Sequence, residues 1–130
     1  MNLSNTSVNY MAKLFQTYGP GAILKFYRGT LPATADTAVS SGDLMAEVTF
    51  PASSWSTPSA GESHTIAAYS GSVVLEDTIG FARMTAASLG TLADFTVGVT
   101  GSGADIELAA VAVLVGDLLQ ITAMSVTVTK

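Results

Sequence analysis

The chain has 130 residues, of which 48% are apolar and only 12% charged, and its ten acidic side chains outnumber the five basic ones. The resulting net charge of −5 argues against a phosphate-binding surface, and so against nucleic acid as a partner. The absence of cysteine excludes disulfides and thiolate metal sites. The charged share is about half of the roughly 25% typical of soluble domains, which favours a surface partly covered by partner chains. The alternative is a low-charge β domain whose Ser and Thr side chains keep the surface hydrated.

The N-terminal part, residues 1–21, is predicted to be an arm with one short helix. Residues 4–7 offer several side-chain oxygens for an N-cap, and the Gly-Pro-Gly sequence at 19–21 ends the helix. Between these signals, apolar residues recur at the three- and four-residue spacing of an amphipathic helix: Val8, Met11, Leu14, Phe15 and Tyr18. The helix is too short to be stable alone, so its apolar face docks either on its own sheet or on a neighbouring subunit.

Residues 22–130 are predicted to form a single β domain. Residues 22–27 and 44–50 both alternate with a period of two, as strands do. The loop between them opens with residues 28–32, which include Leu31 and Pro32, and Pro32 cannot extend a central strand because it lacks an amide hydrogen. Residues 51–62 are rich in Ser, Pro, Gly and Ala, which predicts a surface loop. In this loop Trp55 is either a lid over the edge of the core or an anchor buried by a partner.

The remaining chain predicts more strands. One strand and the two arms of a hairpin follow the Trp55 loop: residues 62–70, 78–85 and 93–100. Another strand begins at Ile106, and in residues 118–129 the apolar phase switches near position 123, which implies a bulge or a strand that passes between two buried faces. We therefore predict a mainly β fold, an antiparallel β-sandwich of jelly-roll or immunoglobulin-like kind with one short N-terminal helix.

Few residues indicate chemistry. His64 is the single histidine and alternates within a predicted strand, so a structural role is favoured over a catalytic or metal-binding one. Asp105 and Glu107 share one side of a predicted strand and could pair for acid–base work or for a cation, but a solvated strand face or an interface row of salt bridges is the favoured interpretation. The most apolar window, residues 106–124, contains charged residues that argue against a membrane span, and the first residues lack the pattern of a signal peptide. We predict no catalytic site, no cofactor, no metal and no membrane partner.

Several segments carry a family resemblance that covers nearly the whole chain from Val8 onward. In chain order they are ILKFYRGTLPATADTA, LMAEVTF, Phe81-Ala82-Arg83, residues 95–101, Gly103-Ala104-Asp105-Ile106-Glu107-Leu108 and Val126-Thr127-Val128. In this order and spacing the chain resembles a family of small structural proteins of tailed-bacteriophage virions. Leu31 stands where that family usually has Gln, and Gly80 stands where a Trp commonly begins the hairpin strand.

The resemblance implies a virion component without enzymatic activity. The expected function is a capsid decoration, or cement, protein that is made in the host cytoplasm, binds the outer surface of the major capsid lattice and stabilises the shell. Its expected partners are the major capsid protein and copies of itself, as a dimer or trimer. The alternatives are a phage tail- or fibre-associated receptor-binding module and a carbohydrate-binding or glycan-degrading domain.

The partner contacts are predicted in three segments, residues 1–18, 30–43 and 51–62. Low charge and an additional N-terminal segment suit burial against neighbouring subunits. Seven residues are the candidate contacts: Val8, Met11, Phe15, Tyr18, Leu31, Pro32 and Trp55.

Overall fold

The computed structural model describes residues 2–51, 55–60, 62–64, 69–121 and 124–128. It begins with helix α1, Asn5–Tyr18, whose N-cap Ser4 accepts a hydrogen bond from the backbone N–H of Ser7 at 3.1 Å. This cap satisfies one of the amide groups that a helix N-terminus leaves without a partner. The predicted N-terminal helix is thus confirmed, and its cap lies in the predicted segment.

Within the described residues ten strands follow the helix, and the chain is mainly β, as predicted. They are β1 Ile23–Arg28, β2 Leu44–Thr49, β3 Glu62–His64, β4 Tyr69–Ser72, β5 Asp77–Ala86, β6 Gly90–Val99, β7 Ile106–Leu108, β8 Ala112–Val113, β9 Leu118–Ile121 and β10 Ser125–Thr127. The main sheet has the order β2-β1-β5-β6-β7, and β8 pairs with the first residues of β5. Two further ribbons pair β10 with β3 and β4 with β9.

The predicted purely antiparallel sheet is wrong at one place, because β7 runs parallel to β6. Val97 lies opposite Ile106 and Val99 opposite Leu108, and residues 100–105 alone connect the two strands. Parallel neighbours normally need a connection of a dozen or more residues. Here the chain folds back sharply at Gly101 and Gly103, which have φ of 86° and 79°, a region that favours glycine.

The strand predicted over residues 62–70 lies partly outside the described chain. The structure describes β3 and β4 at its two ends, whereas residues 65–68 lie outside the described residues. The phase switch predicted near position 123 falls between β9, which pairs with β4, and β10, which pairs with β3. Residue 123 itself lies outside the described residues.

The core lies against one face of the main sheet. Leu24 and Phe26 of β1 and Val48 of β2 are fully buried there, and Ile121 of β9 joins the same cluster. The β4–β9 ribbon links the two edges of the sheet, because β4 contacts β2 and β9 contacts β7. At the β2 edge, the N–H of Val74 donates to the carbonyl of Met45 at 2.8 Å. The main sheet therefore curls around its core.

Candidate interaction surface

Three of the seven candidate contact residues lie inside the chain. Val8 and Phe15 of α1 are buried, and the Phe15 ring lies 6.3 Å from that of Phe95 in β6. Trp55 is also buried, with its ring 5.5 Å from that of Phe15 and 5.7 Å from that of Phe50. The helix therefore docks on its own sheet, and Trp55 closes the core where α1 ends. Gly19 follows the helix because a Cβ there would collide with the Trp55 indole nitrogen. These three side chains are not available at the surface of the described chain.

The other candidates lie at or near the surface, and α1 also presents an apolar outer face. Tyr10 and Met11 are 71% and 52% exposed, and Leu14 lies beside them on the next turn. We call these three residues the helix stripe. Leu31 is exposed, whereas Tyr18 and Pro32 are half-buried. For these residues and Met11 the contact assignment stays a prediction.

A second exposed apolar cluster was missed in the sequence. Leu114, Val115, Val74 and Leu118 are between 58% and 66% exposed, and we call these four residues the apolar turn. Leu114 and Val115 occupy the first two positions of a tight turn, which the N–H of Asp117 closes by donating to the carbonyl of Leu114 at 3.1 Å. Turn positions usually carry polar residues. The available signal was Gly116-Asp117, a turn dipeptide preceded by apolar instead of polar residues.

The backbone of the apolar turn is fixed by its own hydrogen bonds. The Asp117 carboxylate accepts from the N–H of Leu114 at 2.9 Å, and Gly116 adopts a φ of 91° that suits glycine. The N–H of Gly116 donates to the carbonyl of Val73, and the N–H of Val73 donates to the carbonyl of Asp117, both at 2.9 Å. An ordered turn therefore holds these large apolar side chains in solvent. A partner that covers them would lose little conformational entropy of the turn on binding.

Asp105 lies in the connection between β6 and β7, and Glu107 lies in β7 itself. Asp105 accepts from the N–H and from the hydroxyl of Thr96, each at 2.9 Å. Glu107 accepts from the N–H groups of Gly101 and Gly103 at 3.0 and 2.9 Å, and these bonds hold the pKa of Glu107 below its ordinary value. Both carboxylates thus satisfy the backbone of the sharp turn. Their geometry gives them a structural part in the parallel pairing.

A buried ion pair on the other face of the sheet was not predicted. Arg83 of β5 and Asp94 of β6 lie opposite each other, and their side chains are 8% and 7% exposed. Two bonds join them, Nε to Oδ1 at 2.6 Å and Nη2 to Oδ2 at 2.8 Å, and the pair raises the pKa of Arg83. Nη1 donates to the carbonyl of Thr37 at 2.7 Å. Arg83 therefore anchors the loop between β1 and β2 on the sheet.

Next to this pair, Tyr27 stacks on Phe81 with ring centroids 5.3 Å apart. Burial raises the pKa of Tyr27, and the nearby positive charge of Arg83 opposes that rise. His64 lies in β3 opposite Ser125. Within the described residues, no group of three or more His, Asp or Glu side chains is placed to hold a metal ion.

In the part of the chain that the structure describes, no helix has the length and apolar character needed to cross a membrane.

The helix stripe and the apolar turn are the two exposed apolar clusters described above. Comparisons of the chain with protein-family models, with curated proteins and with solved structures gave no match.

Proposed function

We propose that the protein is a bacteriophage capsid decoration protein that binds the outer surface of the major capsid lattice and stabilises the shell. In this proposal its partners are the shell protein and further copies of itself, and it works in the virion without enzymatic activity. The family resemblance of its segments motivates the proposal. The single observation that carries it is the pair of exposed apolar clusters on a charge-poor domain.

The physical argument begins with the cost of exposing apolar side chains. The helix stripe and the apolar turn together leave seven large apolar side chains at the surface, although scattered single residues would be ordinary. Clusters of this kind mark contact sites in soluble proteins. Because each cluster lies on a backbone fixed by hydrogen bonds, a neighbouring subunit can cover it without ordering a flexible loop.

The low charge supports the same conclusion. Fifteen charged side chains in 130 residues leave wide areas with no ion to desolvate when a neighbour covers them. Several of these charges are already paired within the chain: Arg28 bonds Asp43 at 2.8 Å and Asp77 at 3.3 Å. Many weak contacts repeated over a lattice would add up to firm attachment.

We extend the proposal to the layer arrangement of the fold. The β4–β9 and β3–β10 ribbons form the second layer of a sandwich over the main sheet. Support comes from the core cluster, in which Leu119 and Met124 pack together with Leu24 and Phe26 of β1. A crystal structure of the protein would test this two-layer arrangement. A single curled sheet with no ribbon facing it would contradict the arrangement.

The function is tested by adding purified protein to shells assembled without it and measuring the bound protein after sedimentation. We expect saturable binding, with a copy number comparable to that of the shell protein. Met11→Glu and Val115→Glu place a charge in each apolar cluster and should weaken binding about tenfold or more. Ser88→Glu, in the exposed β5–β6 turn, is the matched control and should bind as the unmodified protein does.

Three results would contradict the proposal. The protein could fail to bind shells, it could bind only in a few copies at the tail vertex, or it could turn over a substrate. The second result would favour the tail-associated alternative, because a tail component is present in far fewer copies than a lattice component.

A further inference from the structure

Lys13 gives the helix stripe a positive edge. It is exposed, lies one helical turn after Tyr10, and lines with it a groove of about 250 Å³ between α1 and residues 57–58. The helix contains no Asp or Glu. Lys13 is also the one basic residue of the described chain that forms no ion pair with another described residue, because the other three are paired: Lys25, Arg28 and Arg83. The helix stripe is therefore an apolar surface bordered by a cation.

Two carboxylates give the apolar turn the opposite charge. Glu76 is exposed and follows Val74 of the cluster by two residues, and Asp117 lies within the turn itself. The Asp117 carboxylate already accepts a backbone N–H, whereas Glu76 forms no ion pair with another described residue. The two segments that form this surface, residues 73–76 and 114–118, contain no Lys or Arg. The apolar turn is therefore bordered by anions.

The surface around the apolar turn stays negative although Arg28 lies near it. Arg28 bonds Asp43 at 2.8 Å and Asp77 at 3.3 Å, so these three groups together keep a negative charge. Glu76 and Asp117 add to that charge. A positively charged partner is therefore attracted to this surface, and a negatively charged one is repelled.

The end of α1 and the apolar turn lie at opposite ends of β2. Beyond the helix, the N–H of Gly21 donates to the carbonyl of Phe50 at 2.6 Å, directly after β2. At the start of β2, the N–H of Val74 in the apolar turn donates to the carbonyl of Met45 at 2.8 Å. The extended chain from Met45 to Phe50 spans roughly 16 Å. The two clusters are therefore separate surfaces of one copy.

Charge decides which of these surfaces can meet when two copies associate. A contact between two helix stripes brings Lys13 toward its own counterpart, and a contact between two apolar turns brings like carboxylates together, so both are disfavoured. A contact between a helix stripe and an apolar turn buries apolar side chains on both sides and places Lys13 near Glu76. Both backbones are already ordered, in a helix and in a hydrogen-bonded turn, so little conformational entropy is lost.

We propose that copies of this chain associate head to tail, so that the helix stripe of one copy covers the apolar turn of the next, with Lys13 of the first beside Glu76 of the second. Repetition of such a contact gives a closed ring or an open chain of copies. The inference goes beyond the proposed function, because the contact forms without a shell. Copies joined in this way would also hold one another on a shell, so variants that separate them would weaken attachment to it.

The test uses the full chain in solution without shells, at concentrations up to about 1 mM, and measures association by sedimentation. Met11→Glu disrupts only the helix stripe and Val115→Lys only the apolar turn, so each variant alone should associate about tenfold more weakly or worse. An equimolar mixture should recover association, because the intact turn of the first variant meets the intact stripe of the second. Native mass spectrometry should show these mixed pairs. Ser88→Glu is the matched control and should associate as the unmodified protein does.

Exchange of charges tests the pairing of Lys13 with Glu76. Lys13→Glu and Glu76→Lys should each weaken association about fivefold or more, because each substitution brings like charges together. The double variant that carries both substitutions should recover most of the lost affinity. This recovery would also show that neither single substitution acts by unfolding the chain.

The possible outcomes separate this inference from the proposed function. If Met11→Glu or Val115→Lys alone associates as tightly as the unmodified protein, or if their mixture forms no mixed pairs, the head-to-tail contact is overturned. A monomeric unmodified protein up to about 1 mM overturns it as well, and if that monomer binds shells, both clusters belong to the contact with the shell protein. Head-to-tail association of a protein that does not bind shells supports this inference and overturns the proposed function.

Discussion

Replacement of Asp94 by Ala tests the energetic importance of the buried ion pair. The substitution leaves the Arg83 guanidinium buried with the Thr37 carbonyl as its described hydrogen-bond partner, after the loss of bonds of 2.6 and 2.8 Å. Removal of one partner of a buried pair costs about 3–5 kcal/mol, because the remaining charge stays in a medium of low polarity. For a chain of this size that corresponds to a fall in Tm of roughly 10–20 °C.

Another ion pair on the same sheet provides the control. Lys25 lies opposite Glu47, 3.9 Å away, with side chains that are 31% and 48% exposed. Water already solvates both groups, so Glu47→Ala should cost less than about 1 kcal/mol. The assay is urea unfolding at pH 7, followed by the fluorescence of the single tryptophan, Trp55, which is buried in the native state.

Two results decide this prediction. The combined replacement Arg83→Met with Asp94→Leu should regain most of the lost stability, because it removes both charges and keeps the volume. A cost of Asp94→Ala below about 1 kcal/mol, or no larger than that of Glu47→Ala, would refute the argument that burial makes this pair important.

Three further substitutions test other contacts. Gly80→Ala should destabilise the fold by about 1–3 kcal/mol because its Cβ would collide with the carbonyl of Gly29. In the control Gly42→Ala, the Cβ would make only a van der Waals contact with the Ser40 hydroxyl. Equal losses of stability for the two variants in urea unfolding would contradict this. Glu107 has a pKa below its ordinary value of 4.5 in the folded protein. Its charge therefore stabilises the fold above pH 4.5, and this stabilisation is lost as the pH falls through the lowered pKa. The difference in the free energy of unfolding between Glu107→Gln and the unmodified protein should shrink when the pH is lowered from about 6, and a difference independent of pH would contradict this. Trp55→Ala should lower the free energy of unfolding by about 3–5 kcal/mol, measured by thermal unfolding followed by circular dichroism. Trp55→Phe should lower it clearly less, because the indole N–H has no hydrogen-bond partner among the described residues and the ring contributes mainly by packing.

Local features of the fold could be predicted from the sequence. The signals for α1 are local, because its N-cap Ser4 and its buried residues Val8 and Phe15 lie close together in the sequence. The β5–β6 hairpin is local too, because a short turn joins its two alternating arms. The alternation predicted strands, but it could not predict which distant strands pair.

The errors arise where distant parts of the chain meet. Arg83 alternates like a residue on a solvated face, yet the carbonyl of Thr37, far away in sequence, covers it. The parallel register of β7 depends on Glu107 bonding back to Gly101 and Gly103, which a period of two does not reveal.

The contact role of α1 stays a prediction from the sequence. The predicted contacts included Phe15, which packs on Trp55 and Phe95 in the core. They missed Tyr10, because an apolar residue on the outer side of a helix does not fit a one-sided pattern. The sequence analysis missed the apolar turn because turn positions usually carry polar residues.

The proposed stabilisation of a viral shell by this domain can be measured by calorimetry of shells assembled without the protein. We expect saturating protein to raise the melting temperature of the shells, and Met11→Glu and Val115→Glu to remove this gain while Ser88→Glu keeps it. Shells that melt at the same temperature with and without saturating bound protein would contradict the account.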